Sequence, residues 1–270
     1  MMLVAGEQQR EAASPTISVI VPTFNRAALL RETVESILAQ TFQDFELIIV
    51  DNMSTDGTEG YVSHIADNRI HYLRNNNNGV IAVNRNLGIK AARGEYVALC
   101  DDDDLWLPIK LEKQLAVMQA DPEIILCYSN ALLLLGNEPL KGLLVKRRHT
   151  GQHFKRLLRG NLIPNSSVLV RKSVIDDLGG FDEDPLLKGA EDYETWLRAA
   201  FRGRFCYLDE GLIQYRIHPE NVSTTLRNQA EKNLRVLRKI KTKLALPWRT
   251  VIAFITFQYI RRTIYAILGK

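Results

Sequence analysis

Between Tyr96 and Trp106 the chain runs Tyr-Val-Ala-Leu-Cys and then places four carboxylates, Asp101 to Asp104, ahead of Leu105 and Trp106. An apolar run of this length reads as a buried strand, so the acids stand at its C-terminal end. A turn there needs one Asp at most, and four adjacent acids repel one another. Hard carboxylate oxygens at this density suit Mg²⁺ or Mn²⁺ and the phosphates such an ion carries, whereas zinc would want His or Cys. A cluster of this kind needs a sheet whose strand ends meet along one edge.

The segments upstream build that sheet. Ile17 to Pro22 is a β-branched run closed by proline, and Phe45 to Val50 is a second apolar run ending in Asp51-Asn52. Between them Leu30, Val34, Ile37 and Leu38 recur at helical spacing within Ala28 to Gln40. Ile70 to Leu73 reads as a third strand and Gly79 to Ala92 as a helix stopped near Gly94. Strand, helix, strand with polar loops after the strands is the opening of a doubly wound, mostly parallel α/β sheet. Ligands in such sheets sit beyond the strand C-termini. Pro22-Thr23-Phe24-Asn25, Asp51-Asn52 and Asp101 to Asp104 therefore converge on one edge.

Further along, Pro108 to Ala120 reads as a helix and Glu123 to Ser129 as a strand. Gly136 to Arg159, which holds Lys146-Arg147-Arg148-His149, reads as a flexible basic connection. Ser166 to Arg171 returns to strand character. Gly189-Ala190-Glu191-Asp192 opens a helix through Trp196 and Ala200, and Arg204 to Leu208 and Leu212 to Tyr215 read as two short strands.

The 270 residues, 46% hydrophobic and 24% charged, suit one large α/β domain with an appendage. Cys100, Cys127 and Cys206 are widely spaced and never form a C-x-x-C pair, which argues against a disulfide framework or a zinc site and fits the cytoplasm. From Leu226 onward the chain has eleven Lys or Arg and one acid, Glu231, so the tail carries +10 and the remainder −6. No nucleic-acid recognition motif accompanies that charge.

The set Val19 to Asn25, Val50 to Thr58, Arg85-Asn86-Leu87-Gly88, Leu99 to Trp106, Gly189 to Asp192 and Tyr215 to Ser223 resembles the family 2 glycosyltransferases, over about Ile17 to Ser223. That resemblance implies a GT-A fold with a Rossmann-like nucleotide-binding half, and a metal-dependent, inverting transfer from a nucleoside diphosphate sugar, first of all a UDP-sugar. By position, Pro22, Thr23, Phe24 and Asn25 would frame the base, and Asp51 would bond base or ribose. Arg85 and Asn86 would lie near nucleotide or phosphate. Asp101 would lie near the ribose and Asp103 on Mn²⁺ or Mg²⁺, with His218 on the metal or the diphosphate. Asp102 is grouped with the nucleotide-sugar contacts, because the register could also be Asp102/Asp104. Asp192 matches the general base, and Arg216 is a diphosphate contact or a salt-bridge partner. Two departures stand out: Asn52 and Met53 occupy places where the family usually has Asp and Gly.

These readings divide the chain into a tail (residues 1–14), a catalytic domain (15–225) and a basic helical extension (226–270). In the extension Leu234, Leu237, Ile240 and Leu244 mark an amphipathic helix. Val251 to Ile260 is apolar but too short to span a bilayer. The extension is expected to meet an anionic membrane on its cytoplasmic face, a partner subunit, or the domain's own surface. The acceptor would be a glycan or lipid-linked sugar. A nucleotidyltransferase and a non-catalytic nucleotide-sugar-binding module are the alternatives.

Overall fold

The computed structural model describes residues 14–144, 153–217 and 226–267. Its strands are β1 (Ile17–Thr23), β2 (Phe45–Asp51), β3 (Ile70–Arg74), β4 (Tyr96–Leu99), β5 (Leu105–Trp106), β6 (Ile124–Leu135), β7 (Glu138–Leu143), β8 (Leu169–Arg171) and β9 (Arg204–Ile217). Between and after them come α1 (Ala27–Leu38), α2 (Thr58–Ser63), α3 (Ile81–Ala91), α4 (Lys110–Ala120), α5 (His153–Leu157), α6 (Lys172–Asp177), α7 (Glu191–Arg202), α8 (Leu226–Lys243) and α9 (Trp248–Ile267).

One sheet runs β3-β2-β1-β4-β8-β6-β9-β5, with β7 hairpinned on β6. Strands β3, β2, β1 and β4 are parallel neighbours. Strand β8 enters antiparallel to β4 and β6, while β6 and β9 run parallel. Alternate residues of β1 feed opposite faces, as strand geometry requires. Val19 and Val21 pack with Leu30, Val34 and Ile37 of α1 and with Leu111, Leu115 and Met118 of α4. Ile20 packs with Ala82 and Ile89 of α3 and, in the same core, with Trp196 and Leu197 of α7. Helices cover both faces, so β1, β2 and β4 are buried on both sides, which is why they read as apolar runs, while the edge strand β3 is only half-buried.

Three expectations change. Arg204–Ile217 forms one 14-residue strand where two short ones were expected. Its register against β6 slips around Asn130, opposite Gly211, and such a bulge bends a strand without ending it. The stretch read as a flexible connection contains β7 and α5, while Lys146 to His149 lie outside the described residues. The strand read from Ser166 to Arg171 shortens to Leu169–Arg171, because Asn165–Ser167 wind into a 3-10 turn.

The basic tail folds back on the body. Leu234, Leu237 and Ile240 of α8 are buried in the same core as Trp196. Lys239 lies 2.7 Å from Asp182 and 2.8 Å from Asp184, and Lys243 lies 2.6 Å from Asp182 and 2.8 Å from Glu194. Part of the anionic surface the tail was expected to meet is therefore the domain's own. Helix α9 buries Val251, Ile255 and Gln258, leaving Trp248, Ile252, Ile260 and Ile264 exposed at intervals of four or eight residues. No described helix is long and apolar enough to cross a membrane.

Gly94 sits where the turn before β4 crosses β1. A Cβ there would stand 2.7 Å from the Ser18 nitrogen and 2.8 Å from the Ile17 carbonyl carbon. Backbone of a buried strand cannot yield as a side chain can. Gly94→Ala should therefore cost about 1–3 kcal/mol, the usual range for overpacking, read as a lower urea midpoint with unchanged slope.

Candidate active site

Parallel pairing of β1 with β2 sets Thr23 level with Asp51, and β4 delivers Asp101 beside them. The acid run makes a tight turn in which the Asp104 N–H donates to the Asp101 carbonyl at 3.3 Å. That turn sends the four carboxylates in different directions. Asp101 remains partly exposed and accepts from Arg85 Nη2 at 2.7 Å and Asn165 Nδ2 at 3.2 Å. Asp102 is buried and accepts from Thr23 Oγ1 at 2.8 Å and Arg26 Nη1 at 3.1 Å. Asp103 accepts from the same Arg26 nitrogen at 2.9 Å. Asp104 points into the protein, held by the Ser166 hydroxyl at 2.5 Å and the Arg216 backbone N–H at 3.1 Å.

The second wall of the site is the N-terminus of α7. Arg85 of α3, 4% exposed, donates its other nitrogen, Nη1, to Glu191 Oε1 at 2.6 Å. Glu191 Oε2 accepts from the Gly189 and Ala190 backbone N–H groups, at 2.6 and 3.0 Å, which fastens the turn entering α7. Asp192 follows and accepts from Asn161 Nδ2 at 2.7 Å. One guanidinium thus joins the acids at the end of β4 to the acids opening α7.

Electrostatically the cluster is short of positive charge. Burial and the Asp103 carboxylate push Asp102 up to about 6 against the pull of Arg26 and Thr23. Burial, Asp103 and Asp101 raise Asp104 well above the carboxylate range. Burial and Glu191 push Asp192 up to about 6 despite Arg85. Burial works against the charge on Arg85, yet Asp101 and Glu191 outweigh it and hold the guanidinium firmly protonated. Burial is the main cause of all three upward shifts, and neighbouring carboxylates add to it. The donors are all hard oxygens, so the residues fit Mg²⁺ or Mn²⁺. Among the described residues no three His, Cys, Asp or Glu side chains close around an ion by themselves. A magnesium-type ion held by one or two carboxylates and completed by substrate phosphates needs no such cage.

Other residues singled out in the sequence are placed as follows. Pro22 and Thr23 are buried at the end of β1, and Phe24 is exposed beside them. Asn25 adopts φ 51°, donates its N–H to Ser54 Oγ at 2.8 Å and accepts from the Thr55 N–H at 2.8 Å, fastening the two strand-end loops together. Asp51 is fully buried, and its carboxylate accepts from the Ser54 N–H and hydroxyl and from the Tyr72 hydroxyl at 2.6 Å. Met53 takes φ 59°, the left-handed conformation a glycine would adopt more easily. Asn86 faces away from Arg85 and clamps the Phe181 backbone, donating to its carbonyl at 2.8 Å and accepting from its N–H at 2.7 Å. Arg216 is 3% exposed. It ties Glu32, at 2.6 Å, to the Asp103 carbonyl, at 3.0 Å, and so braces the acid turn from behind. His218 lies outside the described residues.

Sequence reasoning passed over Arg26, Asn161, Asn165 and Ser166, and took Glu191 only as a helix-start acid. Arg26 carried a usable signal, a lone cation in a strand-end loop facing four acids. The other three come from the loops flanking α5 and β8, where no pattern points to the cluster.

Arg85→Met should leave Asp101 and Glu191 facing each other without their shared cation. Breaking a buried pair in this way costs about 3–5 kcal/mol, and equilibrium denaturation will read it. Arg85→Lys should recover only part, since an ammonium cannot span both carboxylates with a planar fork.

Comparison with known proteins places the chain in a family. TuaG of Bacillus subtilis strain 168, named for teichuronic acid biosynthesis, is 31% identical over 232 residues, covering 84% of this chain and 89% of its own. WfaP of Escherichia coli, a UDP-Glc:α-D-GlcNAc-diphosphoundecaprenol β-1,3-glucosyltransferase, is 28% identical over 229 residues, covering 84% of this chain and 87% of its own. In fold, Staphylococcus aureus TarS 1–349 with UDP-GlcNAc superposes with a TM-score of 0.69 at 21% identity, over 93% of this chain and 73% of that one. The mannosyltransferase PcManGT of Pyrobaculum calidifontis, with GDP-Man and Mn²⁺, gives 0.66 at 19% identity, over 95% and 76%. Residues 18–178 match the family described as glycosyl transferase family 2. The strand-end acids, the Arg85 bridge and the α7 carboxylates are thus set in a chain that belongs to glycosyl transferase family 2, on a GT-A fold.

Proposed function

We propose that the chain moves a sugar from a nucleoside diphosphate sugar to an acceptor hydroxyl, with inversion at the anomeric carbon, in the assembly of a cell-surface polysaccharide or glycolipid. The observation that carries this reading is the Arg85 bridge, which makes the donor-side acids and the α7 carboxylates one electrostatic unit.

Asp192 is the general base. Asn161 orients its carboxylate, and the upward shift to about 6 leaves it ionised at neutral pH yet basic enough to take a proton. It removes the acceptor hydroxyl proton as that oxygen forms its bond to the anomeric carbon. The bond from that carbon to the diphosphate breaks on the opposite face, and its electron pair leaves with the nucleoside diphosphate. One in-line displacement inverts the centre, by the same geometry as inverting glycoside hydrolysis.

Asp103 is the residue that would hold Mg²⁺ or Mn²⁺, which when bound supplies charge against the leaving diphosphate, while Asp101, held by Arg85 and Asn165, would face the donor's ribose. Asp104 is a poor alternative to Asp103, since it is 1% exposed and committed to Ser166 and Arg216. A UDP-sugar is the favoured donor, in line with the donors named for WfaP and TarS. A lipid-linked acceptor fits the WfaP name, and the exposed apolar row of α9, on a helix that also carries Arg249 and Arg261, suits peripheral contact with the cytoplasmic face of an anionic membrane. Family membership speaks against the nucleotidyltransferase alternative, and sugar transfer in the assays below would exclude a silent binding module.

Asp192→Asn should keep UDP binding while lowering kcat by about 10²–10⁴-fold, the usual contribution of a general base; transfer at the parent rate would sink the assignment. Because only ionised Asp192 accepts the proton, kcat/KM of the parent should fall as pH drops through about 6, measured as product formation from a UDP-sugar panel.

For the membrane contact, Ile252→Ser with Ile260→Ser removes apolar area from the exposed row only. Co-sedimentation with phosphatidylglycerol vesicles should weaken, and equal binding by both proteins overturns the contact.

A further inference from the structure

Arg85 and Arg26 both neutralise the acid cluster, but they are built differently. Arg85 is 4% exposed and joined to two separate walls, so moving it would strand two acids. Arg26 lies on the solvent side, its side chain 22% exposed against 8% for Asp102 and 11% for Asp103. Its Nη1 stands 3.1 Å from Asp102 Oδ1 and 2.9 Å from Asp103 Oδ2, so a single nitrogen straddles the two neighbouring carboxylates. The residue is the N-cap of α1, with φ −139° and ψ 41°. Its long side chain can therefore change rotamer while the helix stays in place.

We infer that Arg26 is a resident counter-cation of the acid turn, one that must give up Asp103 when an ion and donor enter, so that metal binding is coupled to nucleotide binding. The inference rests on the reading of Asp103 as a metal ligand. The physical reason is direct. A divalent ion at coordinating distance from Asp103, about 2.0–2.1 Å for Mg²⁺, and a guanidinium in hydrogen-bond contact with the same carboxylate are two cations competing for one anion. Ion alone has to displace Arg26 at the expense of that ion pair. Ion arriving with a diphosphate brings the displaced guanidinium a new anionic partner, to which its planar fork is matched. Asp102 is not left bare by the exchange, because Thr23 Oγ1 keeps its other oxygen at 2.8 Å. Asp103 is thereby the member of the run that can change partners, while Asp104 and Asp102 hold the turn's shape.

The test is Mn²⁺ binding to the full chain, followed by loss of the free-ion electron paramagnetic resonance signal, with and without UDP. The parent should bind Mn²⁺ weakly alone and at least about fivefold more tightly with UDP, the lower end of ordinary coupling between sites. Arg26→Ala should bind Mn²⁺ alone at least about fivefold more tightly than the parent and lose most of the UDP effect, and Arg26→Gln should behave the same way should the alanine variant fold poorly. Equal Mn²⁺ affinity and equal coupling in parent and variants overturn the role of Arg26 while leaving the metal site standing. Absence of Mn²⁺ binding by the parent with UDP, or unchanged binding by Asp103→Asn, removes the metal reading and the inference with it.

Discussion

A guanidinium inside a protein has to be paired, and at Arg85 that requirement joins the two halves of the molecule. Its partners, Asp101 and Glu191, come from segments far apart in the chain, the second 106 residues away. Helix α3 can deliver the side chain because Gly88 lets it lie tightly on β1, where a Cβ would stand 2.5 Å from Ile20 Cγ2. The next residue, Asn86, grips the Phe181 backbone, and the Phe181 ring lies 5.4 Å from the Arg85 guanidinium. A single turn of helix therefore fixes the distance between the acid-bearing strand ends and the α7 carboxylates.

The acid turn divides its labour by direction. Four chemically identical neighbours acquire different environments because a tight turn points one outward, two toward the β1 loop and one into the core. Asp101 stays in contact with solvent, Asp102 and Asp103 share Arg26, and Asp104 serves Ser166 and the Arg216 backbone. Burial, and after it repulsion within the run, is the cost of this arrangement, visible in the upward shifts of Asp102 and Asp104.

Much of the N-terminal half was legible in the sequence because doubly buried parallel strands have one appearance, a β-branched run ended by polar residues. The convergence of those ends followed from topology. Direction was not legible: nothing in a run of four aspartates says which one turns inward. Helical phase was legible but unused, since Arg85 and Asn86 are about 100° apart on α3 and cannot both face the cleft. Asp51 looked free to meet a ligand only because Ser54 and Tyr72, which occupy its oxygens, come from the next turn and from β3. Strand β9 was split in two because Gly211 reads as an end, whereas the pairing with β6 carries it through a bulge. The amphipathic face of α8 was plain, but its partners Asp182, Asp184 and Glu194 are a tertiary fact.

The attachment of α8 has a consequence for how the protein answers its surroundings. Burial alone would raise Asp182, yet hydrogen bonds from Lys239 and Lys243 outweigh it and bring the carboxyl down to about 2. That contribution to stability is complete above the ordinary carboxylate range and fades as pH falls toward 2. The lysines are about one-third exposed, so dissolved salt also weakens their pull. The apolar seam of Leu234, Leu237 and Ile240 does not share either sensitivity. The tail is thus fastened by one bond type that ignores the medium and another that any dense polyanion can compete for. Ionic strength and acidic polymers act on the same few lysines, beside the helix that opens with Glu191 and Asp192.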